Sequence, residues 1–354
     1  MQKSSFTIDW PLIGNKQITD FFERCIAFDK VSGTYIFNGP DNLGKTTVAR
    51  HFAQSLLCKN KKIKTGNLPC GACPSCAQFK SINFKNNSLD IDPLDVHGDF
   101  HLVKKAKDKK NISISQIREL IKTLNMSSFL GSYKVGIIKH AETLSLEAAN
   151  ALLKTLEEPK TDVLIILITH DLSLLPKTIV SRSKVLQFLP VKFDIIYDYL
   201  IKDCRASRSE AKNYSRLCLG RPALAKKFLE NKNFFEEYDN KIKIFFNFFL
   251  KDANYRLGAI EGLIKQKSNS QEQVIFALRT IEIWQGLIRD WLLLKYGLDN
   301  LIQHQIAEAE LKQIKNKFSV AVLIKLNKIL LQARDYLQAN VNPKLALEKI
   351  ALSF

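Results

Sequence analysis

Thr34-Tyr35-Ile36-Phe37-Asn38-Gly39-Pro40-Asp41-Asn42-Leu43-Gly44-Lys45-Thr46-Thr47 is the stretch whose reading decides the fold. Its first five residues form a β-rich run, and the next eight fit the pattern G-x-x-x-x-G-K-[ST]. From Lys45 to Leu57, Val48, Ala49, Phe52, Ala53, Leu56 and Leu57 recur at a helical period. A strand that feeds a glycine-bounded turn and opens a helix is the setting in which this pattern cradles phosphate. Backbone N–H groups of the turn point at the anion, and the helix N-terminus adds a favourable dipole. The residues predicted to line the cradle are Gly39, Asn42, Gly44, Lys45, Thr46 and Thr47. In that role Lys45 faces the β- and γ-phosphates, and the Thr46 hydroxyl faces Mg²⁺.

Working outward, Tyr133–Ile138 reads as a second strand and Ser145–Leu156 as a helix. Val163–Thr169 contains only β-branched residues and Leu, the composition of a strand buried on both faces. Ser113-x-x-Gln116 fits a capping box, so a helix is predicted to begin at Ser113 or Ser115. Alternating strands and helices over residues 1–190 imply an α/β core with a parallel sheet wrapped by helices. Leu102–Lys110, rich in lysine, reads as a charged loop. After Pro190 strand-like runs stop. Three short helical stretches fill 191–231, and longer ones near Phe234–Phe249, Gln271–Tyr296, Ala307–Lys317 and Val320–Ala339 fill 232–354, with a short last helix after Asn342-Pro343. Trp284, Ile288, Trp291 and Leu292 make an apolar stripe that suits either an intrachain core or a subunit interface.

Four cysteines follow the helix beyond the phosphate loop. Cys70-x₂-Cys73-x₂-Cys76 curls three sulfurs to one side, and Cys58 at the helix end supplies a fourth. Four thiolates make a closed, tetrahedral structural Zn²⁺ site, so 58–76 is expected to be a zinc module. Cys25, Cys204 and Cys218 sit in helical stretches and are expected in the core.

Hydrolysis of a nucleotide needs carboxylates at the end of a strand beside the cradle, to hold Mg²⁺ and orient water. Here Val135-Gly136-Ile137-Ile138 runs into Lys139-His140. Lys139 repels a cation, and an imidazole is a poor ligand for hard Mg²⁺. Glu142, the nearest acid, begins the next turn and is expected to point elsewhere. The loop therefore leaves ATP binding open while the strand end argues against Mg²⁺ and against hydrolysis.

Bulk properties are consistent with this picture. A chain of 354 residues is too long for one ordinary core, so two or three domains are expected. Its 53 Lys+Arg against 35 Asp+Glu give a net charge of +18, which points to work near a polyanion, nucleic acid first. No stretch offers ~20 uninterrupted apolar residues, and the N-terminus carries no secretory pattern. A cytoplasmic protein without a membrane span is expected, with its thiols reduced.

Further stretches read together with these. Trp10-Pro11-Leu12-Ile13-Gly14 precedes the first helix, and Ala148–Pro159 (AANALLKTLEEP) follows the strand with the altered end. Leu175–Ser183 (LPKTIVSRS) follows Val163–Thr169, and Asn342–Glu348 (NPKLALE) closes the chain. Over nearly its whole length the sequence resembles the delta-prime family of AAA+ clamp-loader subunits of bacterial DNA polymerase III. The resemblance implies an AAA+ phosphate-loop core at 1–190, a three-helix lid domain at 191–231 and an all-α collar at 232–354 for oligomerisation. It implies a stator that assists ATP-dependent loading of the sliding clamp onto primed DNA, in complex with gamma/tau and delta subunits. Ser181-Arg182-Ser183 stands at the family's Ser-Arg-Cys motif, with Ser183 in place of Cys. Arg182 would then be an arginine finger reaching a neighbour's ATP site, and Thr169 would stand where such proteins sense the γ-phosphate. Arg221 is shifted from the place of a second sensing arginine, which Ala223 occupies. The alternatives are an ATP-hydrolysing gamma/tau-type motor, against which Lys139 and His140 speak, and a free-standing zinc module that binds nucleic acid.

Overall fold

A computed structural model describes all residues except 1–4, 32, 61–64, 82–96, 107–108, 130–132, 159, 266–268 and 340. Lys107 of the charged loop and Pro159 of the AANALLKTLEEP stretch lie outside the described residues. The chain divides into two units: 1–195 with 221–223, and 196–220 with 224–354.

The first unit carries β1 (Ser5–Ile8), α1 (Lys16–Ala27), β2 (Gly33–Asn38), α2 (Lys45–Leu57), β3 (Thr65–Leu68), α3 (Pro74–Ser81) and β4 (Phe100–Val103). It continues with α4 (Ile114–Asn125), β5 (Lys134–Lys139), α5 (Leu146–Glu157), β6 (Val163–Thr169), α6 (Lys177–Val180) and β7 (Lys184–Gln187). Five strands form one parallel sheet in the order β4-β5-β6-β2-β7, while β1 and β3 pair in parallel apart from it. The order places β6 between β2 and β5, with Asn38 beside Thr169 and Ile168 beside Lys139. The three strand ends that matter for chemistry therefore open on one edge of the sheet, where ligands of parallel α/β folds bind.

Side chains alternate across the sheet, as the pleat requires. Tyr35, Phe37, Val135, Ile137, Leu164 and Ile166 pack on one face with residues of α1 and α2, including Phe22 and Phe52. Ile36, Ile138, Ile165 and Leu167 pack on the other with residues of α4 and α5. All seven residues of β6 are buried, as its composition demands. Ser113 caps α4: its hydroxyl accepts from the Gln116 N–H, and the Gln116 side chain accepts from the Ser113 N–H at 3.1 Å.

The second unit is helical among its described residues: α7 (Phe193–Lys202), α8 (Arg208–Leu217), α9 (Pro222–Glu230), α10 (Lys232–Asn247), α11 (Ala253–Lys265), α12 (Ser270–Lys295), α13 (Glu308–Ile314), α14 (Val320–Gln338) and α15 (Pro343–Ala351). α7 begins just before the boundary of its unit, and α9 has its first residues grouped with the other one. Trp284, Ile288 and Trp291 are fully buried in one core with Phe245, Leu326 and Leu347, and Leu292 packs against it, so the apolar stripe is intrachain core. Each indole keeps its polar handle satisfied: Trp284 Nε1 donates to the Lys241 carbonyl at 2.9 Å and Trp291 Nε1 to that of Lys315 at 3.3 Å. Cys25 and Cys218 are buried as expected, whereas Cys204 is half-buried in the turn after α7. Among the described residues no helix is long and apolar enough to cross a membrane.

Candidate functional site

The phosphate loop occupies the turn from β2 into α2. Gly39 has φ 140° and Gly44 φ 92°, both in the left-handed region, and Asn42 joins them at φ 66°. Gly39 is required twice over, because a Cβ there would stand 2.4 Å from the Phe188 carbonyl oxygen. Lys45 is buried at the first turn of α2 and bends back over the loop, donating to the Gly39 carbonyl and to that of Pro40 at 2.8 Å. Its ammonium is 3.8 Å from Asp41 Oδ1. Burial pushes its pKa down, opposed by the charges of Asp41 and Glu142. Thr46 is half-buried, and Asn42 and Thr47 are exposed.

Beside the loop, β5 ends in half-buried Lys139, and His140 follows with φ 57°. That left-handed residue turns the chain into a short 3₁₀ helix and brings Glu142 inward. Contrary to the expectation that Glu142 points elsewhere, its side chain is only 6% exposed and its Oε1 accepts from His140 Nδ1 at 3.1 Å and His170 Nδ1 at 2.8 Å. Burial alone would raise its carboxyl; the two histidine hydrogen bonds outweigh that and hold it well below the usual carboxylate range. The hydrogen bond to Glu142 in turn pushes His170 up, against the opposing effect of burial. Thr169, at the end of β6, is buried and donates to the Asp171 carbonyl at 3.0 Å. The strand end thus brings together Lys45, Thr169, His140, Glu142 and His170. Sequence reasoning missed Glu142 and His170 as members of this group. The signal was present as His-x-Glu after one strand and His-Asp after another, but it needs β5 and β6 to be neighbours.

Arg182 lies past α6 and is 38% exposed. Its Nη2 pairs with Glu157 Oε1 at 2.9 Å, and its Nη1 donates to the Thr178 carbonyl at 3.2 Å and to Ser181 Oγ at 3.4 Å. An ion pair so open to water holds the side chain by at most about 1 kcal/mol, so the guanidinium can be released to another partner at little cost.

The four cysteines converge. Cys58 caps the end of α2, Cys70 and Cys73 precede α3, and Cys76 lies on its first turn. Cys58 and Cys73 sulfurs are 4.0 Å apart, as are those of Cys70 and Cys76, and all four lie within 4.8 Å of one another. Tetrahedral zinc–thiolate bonds of about 2.3 Å place neighbouring sulfurs about 3.8 Å apart, so the donor set fits such an ion. Backbone N–H groups of Cys70, Cys73 and Cys76 point at the sulfurs of Cys58, Cys70 and Cys73, at 3.5, 3.4 and 3.5 Å. At Cys58 the Cys76 thiol, with help from the Cys70 N–H and against burial, lowers the thiol from 9.0 to about 5. The cluster could hold a metal.

This architecture defines a class: a phosphate-loop α/β protein whose parallel sheet opens on the loop at its strand ends, with a helical C-terminal unit. Family comparison carries the assignment one step further. Residues 14–192 match the family described as DNA polymerase III, delta subunit, and residues 260–354 match its C-terminal region. The chain belongs to the DNA polymerase III delta-subunit family, on its delta' branch. It is 32% identical over 197 residues to DNA polymerase III subunit delta' of Bacillus subtilis (strain 168), covering 55% of this chain and 54% of that one. Subunit delta' of Pseudomonas aeruginosa is 33% identical over 148 residues, 42% of this chain and 40% of that one. Subunit tau of Bacillus subtilis is 32% identical over 178 residues, 50% and 28% of the two chains. The match to the delta' relatives spans about half their length or less. A gamma-subunit-related protein of Thermotoga maritima superposes with a TM-score of 0.48 at 17% identity, over 94% of this chain and 97% of that one.

Proposed function

We propose that the chain is the delta-prime-type stator of a DNA polymerase III clamp loader, working in the cytoplasm with gamma/tau and delta subunits to load the sliding clamp onto primed DNA. In this reading it retains a nucleotide-binding loop without hydrolysing ATP, and it lends Arg182 to a neighbour. The observation that carries the reading is the end of β5, where Lys139 and His140 stand in place of Mg²⁺-holding carboxylates. Glu142, the acid nearest in sequence to that strand end, has Oε1 committed to two histidines.

The loop residues fit a nucleotide. Gly39, Asn42, Gly44 and Thr47 would form the cradle with Thr46, and Lys45 would leave the Gly39 and Pro40 carbonyls to meet phosphate oxygens. Thr169, beside Asn38, would face the terminal phosphate. A bound nucleotide would supply a charged, ordering ligand; the end of β5 offers Mg²⁺ Lys139 and His140 in place of a carboxylate pair. Cys58, Cys70, Cys73 and Cys76 would hold structural Zn²⁺, fixing α3 against the end of α2. Segment 191–231 would act as a lid domain and 232–354 as the collar that joins sister subunits. Arg182 serves because a guanidinium stabilises charge that develops on a transferring phosphoryl group, and its open pair with Glu157 lets it leave. The test is DNA-stimulated ATPase of the complex reconstituted with gamma/tau and delta, with and without Arg182→Ala. By the usual worth of such a finger the substitution lowers turnover about 10³-fold at that site; unchanged turnover removes the role.

A further inference from the structure

Of the six histidines in the chain, His51, His97, His101 and His304 are buried or half-buried in other surroundings. The remaining two meet. His140 leaves β5 and His170 leaves the adjacent strand β6, and both imidazoles turn to the same carboxylate, Glu142. Their ligand atoms all lie within 4.8 Å of one another. The histidine side chains are 43% and 46% exposed, while that of Glu142 is only 6% exposed. A rim of two accessible imidazoles thus surrounds a nearly buried acid.

The second oxygen of that acid is the informative atom. Among the described residues Glu142 Oε2 is buried and has no hydrogen-bond partner. The Thr169 hydroxyl lies close enough to help lower the Glu142 carboxyl by hydrogen bonding, but its well-formed bond is to the Asp171 carbonyl at 3.0 Å, and Oε2 is left without a partner in hydrogen-bond geometry. Buried polar atoms are nearly always satisfied, and a carboxylate with one orphaned oxygen and two imidazoles on the other suits a cation.

We propose that His140, Glu142 and His170 form a second metal site, distinct from the four-cysteine cluster, for a zinc-class divalent ion rather than Mg²⁺. Two imidazole nitrogens and a carboxylate oxygen suit Zn²⁺, Co²⁺ or Ni²⁺, whereas Mg²⁺ requires an oxygen set. Bonds of about 2.0–2.2 Å in a tetrahedron separate donor atoms by about 3.3 Å. The observed 3.1 and 2.8 Å separations need only small side-chain adjustments to reach that spacing. Three protein ligands leave a fourth position, and two neutral imidazoles with one carboxylate leave the ion a net positive charge. The site lies within electrostatic reach of the phosphate loop, where Lys45 and Asp41 both act on His170. An anionic fourth ligand, a phosphate oxygen or hydroxide, suits it. The site stands on these residues alone and does not depend on the clamp-loader reading.

The experiment counts metal on the full chain. Protein saturated with zinc and freed of excess ion is assayed for zinc per chain, and a separate sample holding one zinc per chain, on the cysteines, is titrated with Co²⁺. Two metal sites per chain are expected, the second with visible d–d bands and no thiolate charge-transfer band. His170→Ala, at an exposed position, and His140→Asn, which keeps a residue tolerant of left-handed backbone, each weaken the second site by at least about 100-fold and leave the four-cysteine ion in place. Millimolar Mg²⁺ does not compete. A single metal per chain in the wild type overturns the proposal. So does a second equivalent that persists in both variants, which would place it elsewhere on the surface.

Discussion

Gly39→Ala tests whether the phosphate loop's first glycine serves the anion or the fold. The new methyl carbon would stand 2.4 Å from the Phe188 carbonyl oxygen and 3.2 Å from Phe188 Cβ. Phe188 has no room to retreat: it is fully buried, its ring centroid lies 5.2 Å from that of Phe37, and its N–H donates to the Asn38 carbonyl at 2.8 Å. The substitution must therefore move the end of β7 away from β2 or twist the loop. A non-glycine residue held at φ 140° costs about 1–3 kcal/mol, and overpacking adds about 1–3 kcal/mol. A total near 3 kcal/mol lowers the melting temperature of a unit this size by about 6–12 °C. Gly33→Ala is the matched control. It also has positive φ (79°), but nothing lies within 4 Å of its would-be Cβ, so it carries the backbone strain without the collision. Calorimetry of both variants without nucleotide, with hydrogen exchange on β2 and β7, separates the two contributions. If Gly39→Ala melts no lower than Gly33→Ala, the collision with Phe188 is not what demands the glycine.

Two further outcomes are expected. Stripping metal with a chelator frees four thiols per chain, raises hydrogen exchange in α3, and leaves β2 and β6 protected, because the four-cysteine cluster is confined to α3 and the end of α2; Cys73→Ser lowers the metal content by one ion per chain. Stability also falls on the acid side: His101 is 4% exposed, and burial, aided by Lys134 and against Asp99, lowers it from 6.5 to about 4. Because its folded pKa lies below the unfolded one, the unfolded chain takes the proton first, so stability is full above pH 6.5 and drains between 6.5 and 4, by about 2 kcal/mol at pH 5. Urea midpoints at pH 7.5 and 5 measure this, and His101→Gln removes that share of the loss.

What could be read from the sequence was what local rules determine. Seven residues from Val163 to Thr169, all apolar but the last, admit only a strand covered on both faces, and Ser113 with Gln116 marks a helix start wherever the chain goes next. The glycine-bounded loop announces both its strand and its helix. The β1–β3 pair was not legible, since Ser5–Ile8 and Thr65–Leu68 are four residues each and their pairing spans about sixty positions. β7 was missed because Lys184–Gln187 is mostly exposed and lacks an apolar face. α11 carries Gly258 and Gly262, which lower helix propensity and hide its period. The cysteine cluster was visible because spacing alone restricts it. The histidine–glutamate group was not, because a left-handed backbone at His140 decides where Glu142 points, and strand adjacency decides that His170 meets it.

The central claim is that this polypeptide keeps the loop of a nucleotide switch but not the anions that activate metal and water. Single-turnover hydrolysis of γ-labelled ATP by the isolated chain, at saturating Mg²⁺ and protein in excess, tests it most directly. We expect no phosphate release above that of Lys45→Ala. Release that Lys45→Ala abolishes would contradict the account.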